Sequence, residues 1–385
     1  MNSAAPYDLA PIGTIMLVGL LLALVPLAWV WKSERRSAPG ARLRALTWAA
    51  LFLTFDLVLF GAFTRLTDSG LGCPDWPGCY GQSNPAGAGE HIEAAQQATP
   101  TGPVTHAKAW IEMIHRYLAT AVGALITVLA YLSWRSAGSG DPNASPRWAT
   151  LALVWVCLQG AFGALTVTMK LYPAVVTLHL LGGIGLLVIL AAQTQRSGPR
   201  PRVAVSRSLS TLIWIVAALA LLQIALGGWV STNYAVLACR DFPTCQGSWW
   251  PPMDFVEGFN VRRGLGRSAG GGYLPFQALT AIHQAHRIGA MVVLGAIALL
   301  VWRLRREADA NVRRWSLPLG GVVLWQVLTG LSNVVLGWPL AAALAHTGGA
   351  AALAVVLTLL LCRLRAARQE GLARRPVTVS AGAHS

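Results

Sequence analysis

Four histidines in apolar surroundings recur as two pairs. His115 and His286 are each followed by arginine, Arg116 and Arg287. His179 and His346 come later in the same order, each shortly before a Gly-Gly pair, so that the whole set repeats at a nearly constant offset. An ionisable side chain is costly in a membrane helix and marks a functional site by default. Two imidazoles on facing helices form a natural axial pair for haem iron. A zinc centre would need three or four protein ligands, and no further Asp, Glu or Cys recurs beside the histidines in both halves. Each half is therefore expected to hold one haem, between His115 and His179 and between His286 and His346. Arg116 and Arg287 either meet haem propionates or are ordinary interfacial arginines.

The two halves differ at one place. Glu112 lies three residues before His115 on the same helical face, and His283 holds that place before His286. A carboxylate beside only one haem points to chemistry at the first site and electron storage at the second. His283 is either a spare ligand or a polar neighbour. Asp56, another costly acid in a mid-helix position, has no assigned role.

A second repeated motif carries sulfur. Cys73-Pro74-Asp75-Trp76-Pro77-Gly78-Cys79-Tyr80-Gly81 and Cys239-Arg240-Asp241-Phe242-Pro243-Thr244-Cys245-Gln246-Gly247 share the pattern C-x-D-aromatic-P-x-C-x-G. Cys73 with Cys79 and Cys239 with Cys245 are expected to be disulfides on an oxidising face. They either staple the loops or exchange with a periplasmic thiol-disulfide carrier. Cys157 and Cys362 read as packing residues.

These residues need elements to position them. The chain has 385 residues, 55% hydrophobic and 12% charged, which excludes an ordinary water-soluble globule. Nine apolar segments reach bilayer-spanning length, near 12–31, 44–64, 108–134, 148–168, 173–194, 209–231, 279–302, 315–338 and 340–362. The fold expected is an all-α integral membrane protein made of two tandem four-helix bundles. An extra N-terminal helix with a basic cytoplasmic loop (1–43) precedes the first half (44–205) and the second half (206–370), and a disordered tail (371–385) follows. Residues 12–31 lack a preceding basic region and are expected to be retained rather than cleaved. Of the 30 Lys and Arg, 21 fall on one side of the spans, which directs the C-terminus to the cytoplasm and the N-terminus outward. The net charge of +15 is thus a topology signal for a protein embedded in lipid, with no nucleic-acid role. Two long outer loops lie near 65–107 and 232–278. In the first, Glu90, His91, Glu93 and His106 are expected to be solvated.

From 44 to about 365 the chain resembles bacterial haem A synthases. Gly61 to Gly81 (GAFTRLTDSGLGCPDWPGCYG), Glu112-x-x-His115-Arg116, the lone His179, His286-Arg287 and His346 carry the resemblance. It implies oxidation of the C8 methyl of haem O to the formyl group of haem A, a cofactor of terminal oxidases, in the bacterial inner membrane. It also implies that the substrate haem sits between His115 and His179 and a haem b between His286 and His346. Glu112 would be the functional acid, and Cys73, Cys79, Cys239 and Cys245 the loop cysteines. Haem O synthase is the upstream partner implied. The oligomeric state stays open, a homo-oligomer included. Rival readings are a di-haem electron-transfer cytochrome, a membrane disulfide oxidoreductase and a transporter.

Overall fold

The computed structural model describes residues 10–35, 37, 40–141, 144–196 and 205–373. Its long helices are α1 (Ala10–Ser33), α2 (Ala41–Leu66), α4 (His106–Gly138), α5 (Pro146–Thr168), α6 (Pro173–Thr194), α7 (Arg207–Thr232), α9 (Phe276–Arg305), α11 (Ser316–Val335) and α12 (Leu340–Ala373). Short helices α3 (Gly89–Ala98), α8 (Phe255–Gly258) and α10 (Ala310–Arg313) complete the order. Nine spans among the described residues are long and apolar enough to cross a membrane. At ~1.5 Å per residue, ~20 residues cover the hydrocarbon core.

Local chemistry sets where these helices begin. Thr105 Oγ1 accepts from the Lys108 N–H, and Ser206 Oγ from the Leu209 N–H, capping α4 and α7. Pro146 and Pro173 open α5 and α6, where a missing N–H costs nothing. Inside the spans, Thr47 and Thr54 return their hydroxyl protons to the carbonyls of Leu43 and Ala50. Neither hydroxyl proton is then left facing lipid.

Helices α2, α4, α5 and α6 pack on one another, as do α7, α9, α11 and α12. The groups meet where α12 packs on α2 and α6, and α6 on α7. The first core, with Leu46, Leu125, Ile126, Leu187 and Leu190, includes Ala351 of α12. The second gathers Leu209, Ile213, Ile297, Leu300 and Leu360. Val25, Leu222 and Leu324 point outward and exposed, as a lipid-facing surface requires.

The repeat is visible in the contacts between halves. Arg65 Nη2 donates to Ser231 O at 2.6 Å, and Tyr234 OH donates to Asp68 Oδ1 at 2.6 Å. Both pairs share the sequence offset that separates the two cysteine motifs. Positions equivalent in two repeats touch one another only beside a two-fold axis relating them. Thr177 and Thr232 hydroxyls meet 3.1 Å apart at the same junction.

The first outer loop contains α3, whose Ile92 is fully buried against Cys73, Cys79 and Met113. Helix α12 runs through Ala373; residues 374–385, where His384 and most of the expected tail fall, lie outside the described residues. Cys157, expected to pack, is exposed on α5. Helix α1 lies along α4, burying Ile15, Ala23 and Val30. Gly19 permits this, since a Cβ there would come within 2.5 Å of Thr120.

Candidate functional site

Both cysteine motifs fold into one loop design, and nearly every motif position has a structural task. Disulfides join Cys73 to Cys79 and Cys239 to Cys245, with Cα separations of 4.9 and 4.7 Å. Asp75 Oδ1 and Oδ2 accept from the N–H groups of Tyr80 and Gly81 at 2.7 and 2.8 Å. Asp241 does the same for Gln246 and Gly247 at 2.7 and 2.9 Å. Tyr80 and Gly81 have φ of 51° and 72°, Gln246 and Gly247 55° and 72°. Two successive left-handed residues make the tight turn that closes Cys79 on Gln82 and Cys245 on Ser248. The second of them is glycine, which adopts that conformation without steric cost. The Thr244 hydroxyl, with the N–H groups of Gly247 and Gln246, holds the Asp241 carboxyl down at about 2.

The arginines after His115 and His286 bind these loops. Arg116 Nη1 donates to Pro77 O and Gly78 O, and Nη2 to Asp75 O at 3.1 Å. Arg287 Nη1 donates to Thr244 O, and Nη2 to Cys239 O and Asp241 O, each at 2.9 Å. Arg116 and Arg287, read from the sequence as either propionate partners or interfacial arginines, turn terminal nitrogens to loop carbonyls. A guanidinium presents several fixed donors, and here they lock each loop to its helix.

Glu112 and His283 are structural equivalents as well as sequence equivalents. Glu112 Oε2 accepts from the Cys73 N–H at 2.8 Å, while Oε1 pairs with Arg116 Nη2. His283 Nδ1 accepts from the Cys239 N–H at 3.4 Å. Both side chains are buried. Each loop thus rests on the helix that bears the first histidine of its half, by the same backbone N–H. Only the first half uses a carboxylate, and that carboxylate sits in a buried ion pair.

The four histidines stand two to a bundle: His115 on α4 and His179 on α6 in the first, His286 on α9 and His346 on α12 in the second. Each is partly buried and faces a glycine on a helix that carries no histidine. A Cβ at Gly61 of α2 would stand 3.0 Å from His115, and one at Gly163 of α5 would stand 3.5 Å from His179. In the second half, Gly227 of α7 and Gly330 of α11 would each place it 3.1 Å from His286 and His346. These glycines obey the repeat: Gly61 answers to Gly227, and Gly163 to Gly330. His115 also lies parallel to the Phe60 ring, with centroids 6.3 Å apart.

The second-half imidazoles have polar partners at Nδ1. Gln223 Nε2 lies 2.9 Å from His286 Nδ1 and donates to the His286 carbonyl at 2.9 Å. Thr329 Oγ1 lies 3.1 Å from His346 Nδ1. In contrast, His179 Nδ1 is buried with no hydrogen-bond partner among the described residues. Among those residues no three or more His, Cys, Asp or Glu side chains gather to enclose a metal ion. Paired imidazoles without a third protein ligand suit an iron whose equatorial ligands are porphyrin nitrogens.

Asp56, mid-way along α2, is exposed and belongs to neither pair. Glu90, His91, Glu93 and His106 are exposed as expected. His91 stacks on Tyr80 at 5.5 Å, and His106 approaches Glu93 at 3.7 Å. Sequence reasoning missed the glycine seats, Gln223 and Thr329. The one signal that could have exposed the glycines is their spacing, which follows the histidine repeat.

Comparison with known proteins adds a family. The Cytochrome oxidase assembly protein family, COX15-CtaA, matches residues 44–358. A Heme A synthase of Shewanella oneidensis is 40% identical over 318 residues, covering 81% of this chain and 94% of that protein. A Heme A synthase of Halalkalibacterium halodurans is 27% identical over 299 residues, covering 75% and 86%. One of Alkalihalophilus pseudofirmus is 28% identical over 300 residues, with the same coverage.

Proposed function

The chain belongs to the COX15-CtaA family of cytochrome oxidase assembly proteins, and we infer from this and from its site that it is a haem A synthase. It is a multi-pass membrane oxidoreductase that converts the C8 methyl of haem O into the formyl group of haem A for terminal oxidase assembly. The observation that carries this reading is the presence of two imidazoles in each of two repeats, each seated against a glycine of a neighbouring helix, with a carboxylate in one repeat only.

In this reading His115 and His179 hold the substrate haem, and His286 and His346 hold a resident haem b. The resident haem, when bound, supplies a one-electron couple next to the substrate. The protein's part is placement. Gly61, Gly163, Gly227 and Gly330 leave room for each imidazole against the neighbouring helix. Oxidising a methyl group develops positive charge at the carbon and releases protons. Glu112, paired with Arg116 and one helical turn from His115, is the carboxyl group placed to stabilise the first and accept the second. Its water-poor setting strengthens both effects. His283 leaves the second half without such an acid, as suits a site that only stores electrons.

The halves divide near residue 205. The cysteine loops face the oxidising side, with the N-terminus outside and the C-terminus in the cytoplasm of an inner membrane, following the basic inner segments. Haem O synthase is the natural upstream donor. A periplasmic thiol-disulfide carrier would be needed only to form the two loop disulfides.

The test is co-expression with a haem O source in cells that lack haem A, followed by mass analysis of extracted porphyrins. Haem A and its part-oxidised precursors are expected. Haem O alone, from well-expressed protein, would contradict the function.

A further inference from the structure

Thr329 and Phe162 hold the same place in the two repeats, each directly before a glycine seat, and differ in what they offer a neighbouring histidine. Thr329 Oγ1 lies 3.1 Å from His346 Nδ1 and 2.7 Å from the carbonyl oxygen of Trp325. A hydroxyl has one proton. Here it goes to the Trp325 carbonyl, so Oγ1 accepts from Nδ1–H. That network fixes the tautomer of His346, with the proton on Nδ1 and the lone pair on Nε2.

The first repeat lacks this arrangement. Phe162 has no acceptor, and His179 Nδ1 is buried without a partner among the described residues. At the other histidine of each pair the second repeat has an amide nitrogen, Gln223 Nε2, against His286 Nδ1; it is a donor and supplies no acceptor, and Leu57 takes its place in the first repeat.

We propose that this contrast makes one haem resident and the other exchangeable, with Thr329 as the positioning residue that secures His346 for lasting ligation. It rests on the reading above, in which each imidazole pair holds one haem. An acceptor at Nδ1–H orients the ring and makes its other nitrogen a stronger ligand. Without one, His179 is the weaker ligand and can release its ring. A haem that arrives as substrate and departs as product needs such a ligand; an electron store does not.

The experiment uses the purified full-length protein with its haems bound. Excess apomyoglobin captures released haem, and extraction distinguishes haem b from haem O and haem A. Thr329→Val should release haem b about 10- to 100-fold faster and raise its reduction potential, since the ring donates less to iron. Thr329→Ser keeps the acceptor and should restore both. Phe162→Thr should slow release of the first-half haem. Release of haem b from Thr329→Val at the wild-type rate with unchanged potential overturns the proposal, and so does a serine variant as leaky as valine. Wild-type protein that carries no haem would instead defeat the haem A synthase reading, and this proposal with it.

Discussion

Replacing Gly72 by alanine tests whether the first cysteine loop sets the position of Glu112. A Cβ at Gly72 would stand 2.4 Å from the Lys108 carbonyl carbon, 2.5 Å from its oxygen and 2.6 Å from the Ala109 nitrogen. All three atoms are α4 backbone, which cannot step aside. The closest approach falls short of ordinary van der Waals contact by about 1 Å, so the loop must rise from α4 by a similar distance. The bond from the Cys73 N–H to Glu112, now 2.8 Å, would then pass beyond useful range. The second half already carries Ala238 at this place, and its matching bond to His283 is 3.4 Å. Losing a hydrogen bond to a charged acceptor costs about 1.5–3 kcal/mol. Expressed fully in the transition state, that slows conversion about 10- to 100-fold. The assay is haem A formed per haem b retained in membranes supplied with haem O, with a thermal midpoint in detergent beside it. Full conversion by Gly72→Ala with an unchanged midpoint would refute the reasoning.

Other outcomes follow from the same geometry. Glu112→Ala should keep both haems by absorption spectroscopy yet form no haem A. Gly61→Ala, with a Cβ 3.0 Å from His115, should disturb the low-spin spectrum of the first haem more than Gly163→Ala, where the distance is 3.5 Å. Arg287→Ala strands three loop carbonyls, each costing about 1–3 kcal/mol when left unpaired and buried; proteolysis within 239–247 should accelerate. Asp241 is depressed to about 2 in the fold, below the usual carboxylate value of ~3.9. Its stabilising contribution is whole above that usual value and fades as pH falls through about 2. Acid loosening of the second loop, followed by hydrogen exchange, should therefore begin below about pH 4, and Asp241→Asn should remove that dependence.

The sequence made the spans legible because membrane helices announce themselves by length and apolarity. The histidines stood out because polar residues are rare within those spans, and duplication then supplied a second, independent copy of each observation. What stayed hidden depends on contacts across long sequence separations. Arg116 reaches the carbonyls of Asp75, Pro77 and Gly78 in a loop far back along the chain, and nothing in a His-Arg dipeptide says whether the guanidinium meets a loop or a ligand. Gly61 and Gly330 read as common small residues in apolar helices until a neighbouring imidazole is seen against them. Helix α3 is short and polar, with Ile92 its one fully buried side chain, too weak a periodic signal to separate from loop. Thr329 could not be distinguished from the many threonines that bond their own helix, because it does that too.

The account stands or falls on what lies between the imidazoles. A single-particle density map of the purified protein with its haems retained would decide it. The expected map has one porphyrin between His115 and His179 and another between His286 and His346, both irons bound on two sides by nitrogen. Imidazole pairs with no iron between them, in protein that carries haem elsewhere, would contradict it.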